Sequence, residues 1–290
     1  MFVSVIIPTY NNNQELADCL THLAQQTLSA ESFEVVVVDN GSRIPAEATV
    51  SRFPFARCVI ESTPGSYNAR NAGVSFAKGD VLAFTDADCR PSLNWLASAL
   101  EVFKVEPSVT AIGGDIRVTT SNNPTVPELY ESIFSLKQEV YVQSLGFAAT
   151  ANLIVRKVVF DEVGHFDGSL LSGGDYDWCR RLEIAGHRLH FSADAFVEHP
   201  ARASLKSLIN KRRRIIGGRR QVDERYPASH GADQISKVYG GSQNIRLLLG
   251  TADSSISHFD SMCILLIKLS LGAIARVERL RLTLGGLPLR

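Results

Sequence analysis

The chain has 290 residues, 45% hydrophobic and 21% charged, an ordinary globular balance with room for one large domain or one domain plus an extension. Lys+Arg and Asp+Glu both number 30, so the net charge leaves no footprint for nucleic acid and none is expected as a partner. The five cysteines (19, 58, 89, 179 and 263) form no CxxC pair, which excludes a disulfide framework or a zinc ribbon and reads as free thiols in a reducing compartment.

The start, MFVSVIIPTY, lacks a basic leader and runs directly into a strand pattern, so no signal peptide is expected. Residues 3–7 form an apolar run ending at Pro8. Leu16, Cys19, Leu20, Leu23 and Ala24 then follow helical spacing, with caps expected among Asn11, Asn12 and Asn13. Residues 34–38 read as a second strand ending in DNGS, and 57–60 as a third. Ala69, Ala72, Gly73 and Phe76 fit a helix face after the Pro64-Gly65 turn. Residues 80–85 make the next strand, and Leu93, Leu96, Leu100 and Phe103 the next helical stripe. Alternation of continuous apolar strands with helices predicts a mostly parallel, Rossmann-like sheet flanked by helices. Ligands in such sheets bind beyond the carboxyl ends of the strands, where PTYNNN, DNGS and TDADC should converge.

Beyond residue 115 the pattern loosens. Residues 119–127 read as a loop, 128–144 as a helix, 147–155 as a strand and 157–163 as a short helix. The stretch SGGDYDWCRRLEIAG (172–186) is a glycine turn feeding a helix, and 188–191 and 195–198 are short strands. After about 221 the chain turns helical and amphipathic, with a polar hinge at 229–242. The expected organisation is a domain over 1–220, with a nucleotide-sugar half to about 115 and an acceptor half from 116, followed by a helical C-terminal extension over 221–290.

Several clusters can carry chemistry, each with a plainer alternative. The acids of FTDADC, Asp86 and Asp88, sit where a buried strand ends, a position suited to Mg2+ or Mn2+ shared with substrate phosphate; short acidic triplets also occur in exposed loops. Arg70 in GSYNARNAG either faces the same rim or lies solvated on its helix. Asp175 is either a helix N-cap or a general base, since an ordinary aspartate is ionised at neutral pH. Asp177 and Trp178 extend that motif, and Trp178 fits a core position equally well. His199 is either structural or a third metal ligand. The basic run KRRRIIGGRR (211–220) reads as a solvated face, a diphosphate clamp or a contact for anionic lipid, and Gly217-Gly218 within it as a flexible lid. Residues 262–284 mix leucines with cations. Such a stretch packs on its own domain, on a second subunit in a homo-oligomer, or on a membrane surface; its longest apolar window, 262–275, is shorter than the roughly 18 residues a spanning helix needs and carries Lys268.

VSVIIPTYNN, VVVVDNGS, PGSYNARNAGVSFAKGDVLAFTDADCRP, FAATANLIVRKVVFDEVGHFD and SGGDYDWCRRL occur here in the order seen in the family 2 glycosyltransferases, and the resemblance covers roughly residues 2–200. It implies the GT-A fold and an inverting, metal-dependent transfer of sugar from a nucleotide-sugar donor, UDP-linked, to a hydroxyl of a glycan, lipid-linked or other acceptor. Such chemistry belongs to cell-surface polysaccharide or glycoconjugate synthesis.

The resemblance also implies residue roles. Pro8, Thr9 and Tyr10 would cradle the base, with Tyr10 stacked on it. Asp39 would bind base or ribose, sharing that role with Asn40, where relatives often carry a second acid. Arg70 would contact base or diphosphate. Asp86, Ala87 and Asp88 would line the ribose and diphosphate, with Asp88, and His199 beside it, holding a divalent cation, Mn2+ or Mg2+. Asp175 would be the base, with Asn152, Gly174, Asp177 and Trp178 on the acceptor or sugar side; relatives often have an acid where Gly174 stands. The acceptor pocket would draw on 115–150. The processive members' QxxRW motif and membrane helices are not found, so the expectation is single-sugar addition by a cytoplasmic protein, at most resting on the inner face of the membrane. Two other functions share parts of this pattern. A sugar-1-phosphate nucleotidylyltransferase would carry a GxGTR-like loop near the start, where PTYNNN stands; a non-catalytic nucleotide-sugar-binding module would have no need of Asp86, Asp88 and Asp175 together.

Overall fold

The computed structural model describes residues 1–225 and 257–289; the hinge expected at 229–242 lies outside the described residues. In chain order the elements are β1 (Val3–Thr9), α1 (Asn13–Ala24), β2 (Phe33–Asp39), α2 (Glu47–Val50), β3 (Ala56–Ile60), α3 (Ser66–Phe76), β4 (Val81–Thr85), β5 (Arg90–Pro91), α4 (Trp95–Val105) and β6 (Ala111–Thr119). They continue with α5 (Val126–Phe134), α6 (Gln138–Leu145), β7 (Asn152–Arg156), α7 (Lys157–Val163), α8 (Gly174–Ile184), β8 (Leu189–Pro200), α9 (Leu205–Arg225) and α10 (His258–Thr283).

One sheet runs β3-β2-β1-β4-β7-β6-β8-β5. Strands β3, β2, β1 and β4 are parallel, as their apolar runs and intervening helices require. Beyond β4 the direction changes: β7 is antiparallel to both β4 and β6, and β5 to β8. The reversal of strand order about β1 puts the ends of β1, β2 and β4 around one crevice, with Thr9 beside Asp39 in register. Helix α3 lies close on this part of the sheet because Gly73 has no side chain; a Cβ there would come within 2.6 Å of Ile6 and 3.1 Å of Val38.

Residues group into two compact units, the first of Met1–Arg117, Leu136–Ser169 and Gly174–His199, the second of Val118–Ser135, Leu170–Gly173 and the chain from Pro200. The first holds the sheet. In the second, α9 packs Ile216 against Ala275 and Leu282 of α10, and Arg213 Nε donates to Glu278 at 2.9 Å.

The structure departs from the sequence reading in several places. The helix expected over 128–144 is two helices, broken where Leu136 takes φ 51°. The buried face of α4 is Trp95, Leu96, Ala99 and Phe103, and Leu93 lies outside it, exposed, because the helix begins at Trp95. The strand expected over 147–155 is confined to β7, and the two short strands at 188–198 are one, β8. Strand β6 has no counterpart in the elements expected from the sequence.

The asparagines 11–13 do not cap α1 as expected. Asn12 makes no side-chain capping bond, whereas Asn11 Oδ1 accepts from the Arg43 amide at 2.8 Å and Asn13 Nδ2 donates to the Ile44 carbonyl at 3.1 Å, tying the β1 end to the β2 end. Gly217 and Gly218 form no lid. Both are buried inside the continuous helix α9, where a Cβ on Gly218 would meet the Ser172 backbone at 2.3 Å. Among the described residues no helix is long and apolar enough to cross a membrane.

Candidate functional site

The rim is built from strand ends and cross-links between loops. Pro8, Thr9 and Tyr10 close β1; Thr9 is buried and the Tyr10 ring is exposed, open for stacking. Asp39 closes β2 and is spent locally, Oδ1 accepting from the Ser42 amide and Oδ2 from the Ala46 amide, each at 2.8 Å. Burial opposes its ionisation, but these bonds and one from the Ser42 hydroxyl outweigh burial and hold its pKa below the usual carboxylate range. Asn40 uses both ends of its amide. Nδ2 donates to the Glu61 and Thr63 carbonyls at 2.8 Å each, and Oδ1 accepts from the Gly65 amide at 2.8 Å. A carboxylate could not make this bridge, since it has no protons for the two carbonyls. This is a physical reason for an amide rather than an acid at this position.

What meets Asp86 is Arg70. Its guanidinium is 4% exposed and pairs with Asp86 Oδ1, and it sits 5.7 Å from the centre of the Tyr67 ring. The Arg70 Nε–H has no hydrogen-bond partner among the described residues. Tyr67, three residues earlier on α3, is buried and donates its hydroxyl to Asp175 Oδ1 at 3.4 Å. Sequence reasoning missed Tyr67, although i, i+3 spacing from Arg70 put it on the same helix face.

Asp175 lies half-buried in the first turn of α8, and its Oδ1 also accepts from the Tyr176 amide at 2.9 Å. Burial raises its pKa above the ordinary aspartate value, against the opposing pull of that amide and of Arg70. The residue before it, Gly174, is buried where an added Cβ would stand 2.8 Å from the Tyr67 ring. The glycine makes room for the tyrosine.

Asp88 Oδ1 faces His199 Nε2 at 3.8 Å, because β5 pairs antiparallel with β8, Arg90 opposite Glu198, and so sets His199 beside the turn that carries Asp88. Asp88, Cys89 and His199 each bring one ligand atom within 4.8 Å of the others. Burial pushes the Cys89 thiol well above its usual pKa, and the nearby Asp86 and Asp88 charges add to this. It therefore stays a protonated thiol, a poor ligand for a hard cation. A carboxylate and an imidazole fit Mn2+ and accept Mg2+. Ala87, between the two acids, is buried.

The structure sets the other expected residues to work inside the fold. Asn152 is fully buried, accepting from Trp95 Nε1 at 2.9 Å and donating to the Asp115 and Ala195 carbonyls at 2.8 Å. Trp178 is fully buried against Phe160 and donates to the Gly164 carbonyl at 2.8 Å, the core alternative of the sequence reading. Asp177 is buried and accepts from Arg181 Nε at 3.1 Å, while that arginine also binds the Val163 and His165 carbonyls.

Comparison with known proteins places this geometry. The Glycosyl transferase family 2 profile matches residues 4–164. The chain is 36% identical over 226 residues to glycosyltransferase AglE of Haloferax volcanii, covering 76% of this chain and 74% of that one. Among solved structures it superposes with a TM-score of 0.64 on the Pyrobaculum calidifontis mannosyltransferase PcManGT, solved with GDP-Man and Mn2+, at 17% identity, covering 96% of this chain and 86% of that one. It matches S. aureus TarS 1-349 in complex with UDP-GlcNAc with a TM-score of 0.57 at 19% identity, over 96% and 88% of the two chains. These two likenesses show the GT-A fold of the sheet and its helices.

The Asn40 bridge makes a stability prediction. Asn40→Asp sets a carboxylate against two carbonyls and is expected to destabilise by about 2 kcal/mol, read as a lowered Tm in thermal denaturation. A Tm equal to the wild type would show that the bridge does not hold the loop.

Proposed function

From the premise that this chain belongs to glycosyl transferase family 2 and is a glycosyltransferase, we propose that it transfers sugar with inversion from a UDP-linked donor to a hydroxyl of a glycan or lipid-linked acceptor. The chain of contacts Asp86–Arg70–Tyr67–Asp175 carries this reading, because it joins the end of β4 to an aspartate whose basicity burial raises.

Tyr10 supplies an exposed ring for the donor base, and Asp39 holds the 39–46 loop beside it. Asp86, fixed by Arg70, lies nearest the ribose side, and Ala87 keeps the turn between the acids small. Asp88 and His199 would hold a divalent cation, Mn2+ or Mg2+, which supplies positive charge for the departing diphosphate. Asp175 accepts the proton of the acceptor hydroxyl as its oxygen bonds to the anomeric carbon. The bond from that carbon to phosphate breaks with its electron pair leaving on the nucleoside diphosphate. A single displacement inverts the anomeric centre and needs no covalent enzyme intermediate. The Tyr67 hydroxyl orients Asp175 and stabilises its ionised form. Asn152, Asp177 and Trp178 support the acceptor side through packing and internal hydrogen bonds.

Three outcomes test this reading. Asp175→Asn is expected to lower transfer by about 10²–10⁴-fold while donor binding, measured by calorimetry, stays within a few-fold of wild type. Donor binding without turnover in the wild type itself would instead indicate a binding module. Chelation with EDTA is expected to weaken donor binding, and Mn2+ to restore it; unchanged affinity would remove the cation from Asp88 and His199. The pH dependence has a definite sign. Transfer requires ionised Asp175, so kcat/KM should fall on the acid side with an apparent pKa above about 3.9. Tyr67→Phe removes a donor to the carboxylate and should move that limb to higher pH.

A further inference from the structure

Helix α10 is apolar on two opposite faces. One packs inward through Ile264, Leu271, Ala275 and Leu282, all buried. The other carries Phe259, Met262, Leu266, Leu269, Val277 and Leu280, all exposed, with Leu269 at 62% and Val277 at 67%. At 100° per residue these six fall on one stripe, opposite the buried face. The helix has 26 residues, so the stripe runs along much of about 39 Å. A stripe of this size on the open side of a helix marks a contact surface.

The charges on α10 choose the occupant. Arg276 is exposed at one margin of the stripe, and Arg279 is exposed further round on the same side. The two acids of the helix are turned to other tasks. Asp260 sits at the capped N-terminus, where it accepts from the Ser257 hydroxyl, and Glu278 is buried between Arg213 and Arg281. The open side therefore presents leucines and cations and no carboxylate. A second copy laid on this stripe would bring apolar side chains but no free carboxylate from its own α10 for these arginines, since Asp260 and Glu278 are already engaged. An anionic lipid surface supplies both missing parts, acyl chains for the stripe and phosphates for the arginines.

We propose that α10 is an interfacial membrane-binding helix, lying on anionic phospholipid with the 259–280 stripe buried and Arg276 and Arg279 among the headgroups. It binds in the plane of the surface, in keeping with the lack of any helix able to cross a membrane among the described residues. The proposal does not depend on the sugar-transfer reading and fails or stands separately from it.

The test is vesicle flotation with the full chain, using phosphatidylcholine vesicles with and without phosphatidylglycerol, at low and high salt. The wild type is expected to float with the anionic vesicles, more weakly at high salt and with phosphatidylcholine alone. Leu266→Asp with Leu269→Asp should weaken anionic binding at least about tenfold, as should Arg276→Glu with Arg279→Glu, which touches only exposed cations and leaves the buried face intact. Circular dichroism and melting curves matching the wild type show that the variants fold. Wild type that floats with neither vesicle, or variants that float as well as the wild type, would overturn the proposal. So would a dimer in light scattering that the double leucine variant dissociates while neither protein binds vesicles, which would make a second copy the occupant.

Discussion

The ion pair between Arg70 and Asp86 is the contact on which the rim depends. A guanidinium buried to 4% exposure costs several kcal/mol in lost hydration unless an anion meets it. Asp86 is that anion, and it is available only because β4 ends at Thr85 and the next residue turns out of the sheet. The cation reaches it because α3 lies close on β1 and β2, an approach that Gly73 permits. Removing either partner would strand a charge, so the pair fixes where α3 stands over the strand ends. Everything else that α3 contributes inherits this placement. Tyr67, one turn before Arg70, is pinned between the guanidinium and the first turn of α8, and Gly174 is the gap that its ring fills. Two segments 89 residues apart in sequence, around Asp86 and Asp175, are thereby held to one geometry.

The acids around the crevice separate by what the fold asks of them. Asp39 and Asp177 are satisfied by their own loop or helix, and Asp39 is a stronger acid for it. The Asp39 carboxylate therefore stabilises the folded state while ionised. Asp175 has the opposite sign. Burial raises its pKa, so keeping it ionised at neutral pH works against folding stability. A residue that the fold holds at such a cost is a candidate for chemistry. The same sorting applies to the amides. Asn40 and Asn152 use their amide groups within the protein, and both act as braces for the rim.

The parallel half of the fold was legible because it is written in local pattern. Val5–Ile7, Val35–Val38 and Val81–Phe84 are continuous apolar runs, and their polar ends announce the crevice. What lay beyond Thr110 was harder to read, since β6 carries Gly113-Gly114 in mid-strand and has neither a continuous apolar run nor strict alternation. Those glycines answer to tertiary contact: a Cβ on Gly113 would meet Val142 at 2.5 Å, and one on Gly114 the Ala195 carbonyl at 2.1 Å. The roles of Asn11, Asn13 and Asn40 were hidden for a related reason. An asparagine after a strand has the same local signature whether it caps the next helix or bridges to a distant loop, and only the fold decides between them. Asp88 and His199 stood far apart in the sequence, and it was the antiparallel β8 that joined them.

The basic run on α9 shows how a charge cluster is divided by its surroundings. Lys211 donates to Glu131 at 2.6 Å, a carboxylate 1% exposed that Arg202 also holds, and Arg213 donates to the buried Glu278. These cations stitch α9 to α5 and α10, and breaking the largely buried Lys211–Glu131 pair costs about 3–5 kcal/mol because it leaves the other charge stranded. Burial lowers the Lys211 pKa, so its ammonium depends on Glu131 as much as the reverse. A cation committed in this way cannot also serve a ligand without giving up its partner. The reading of 211–220 as one diphosphate clamp thus loses Lys211 and Arg213, while Gly217 and Gly218, packed inside the helix, remove the hinge that a closing lid would need. What the run provides to the molecule is a positively charged helix clasped by two buried glutamates, and α10 is held in place through one of them.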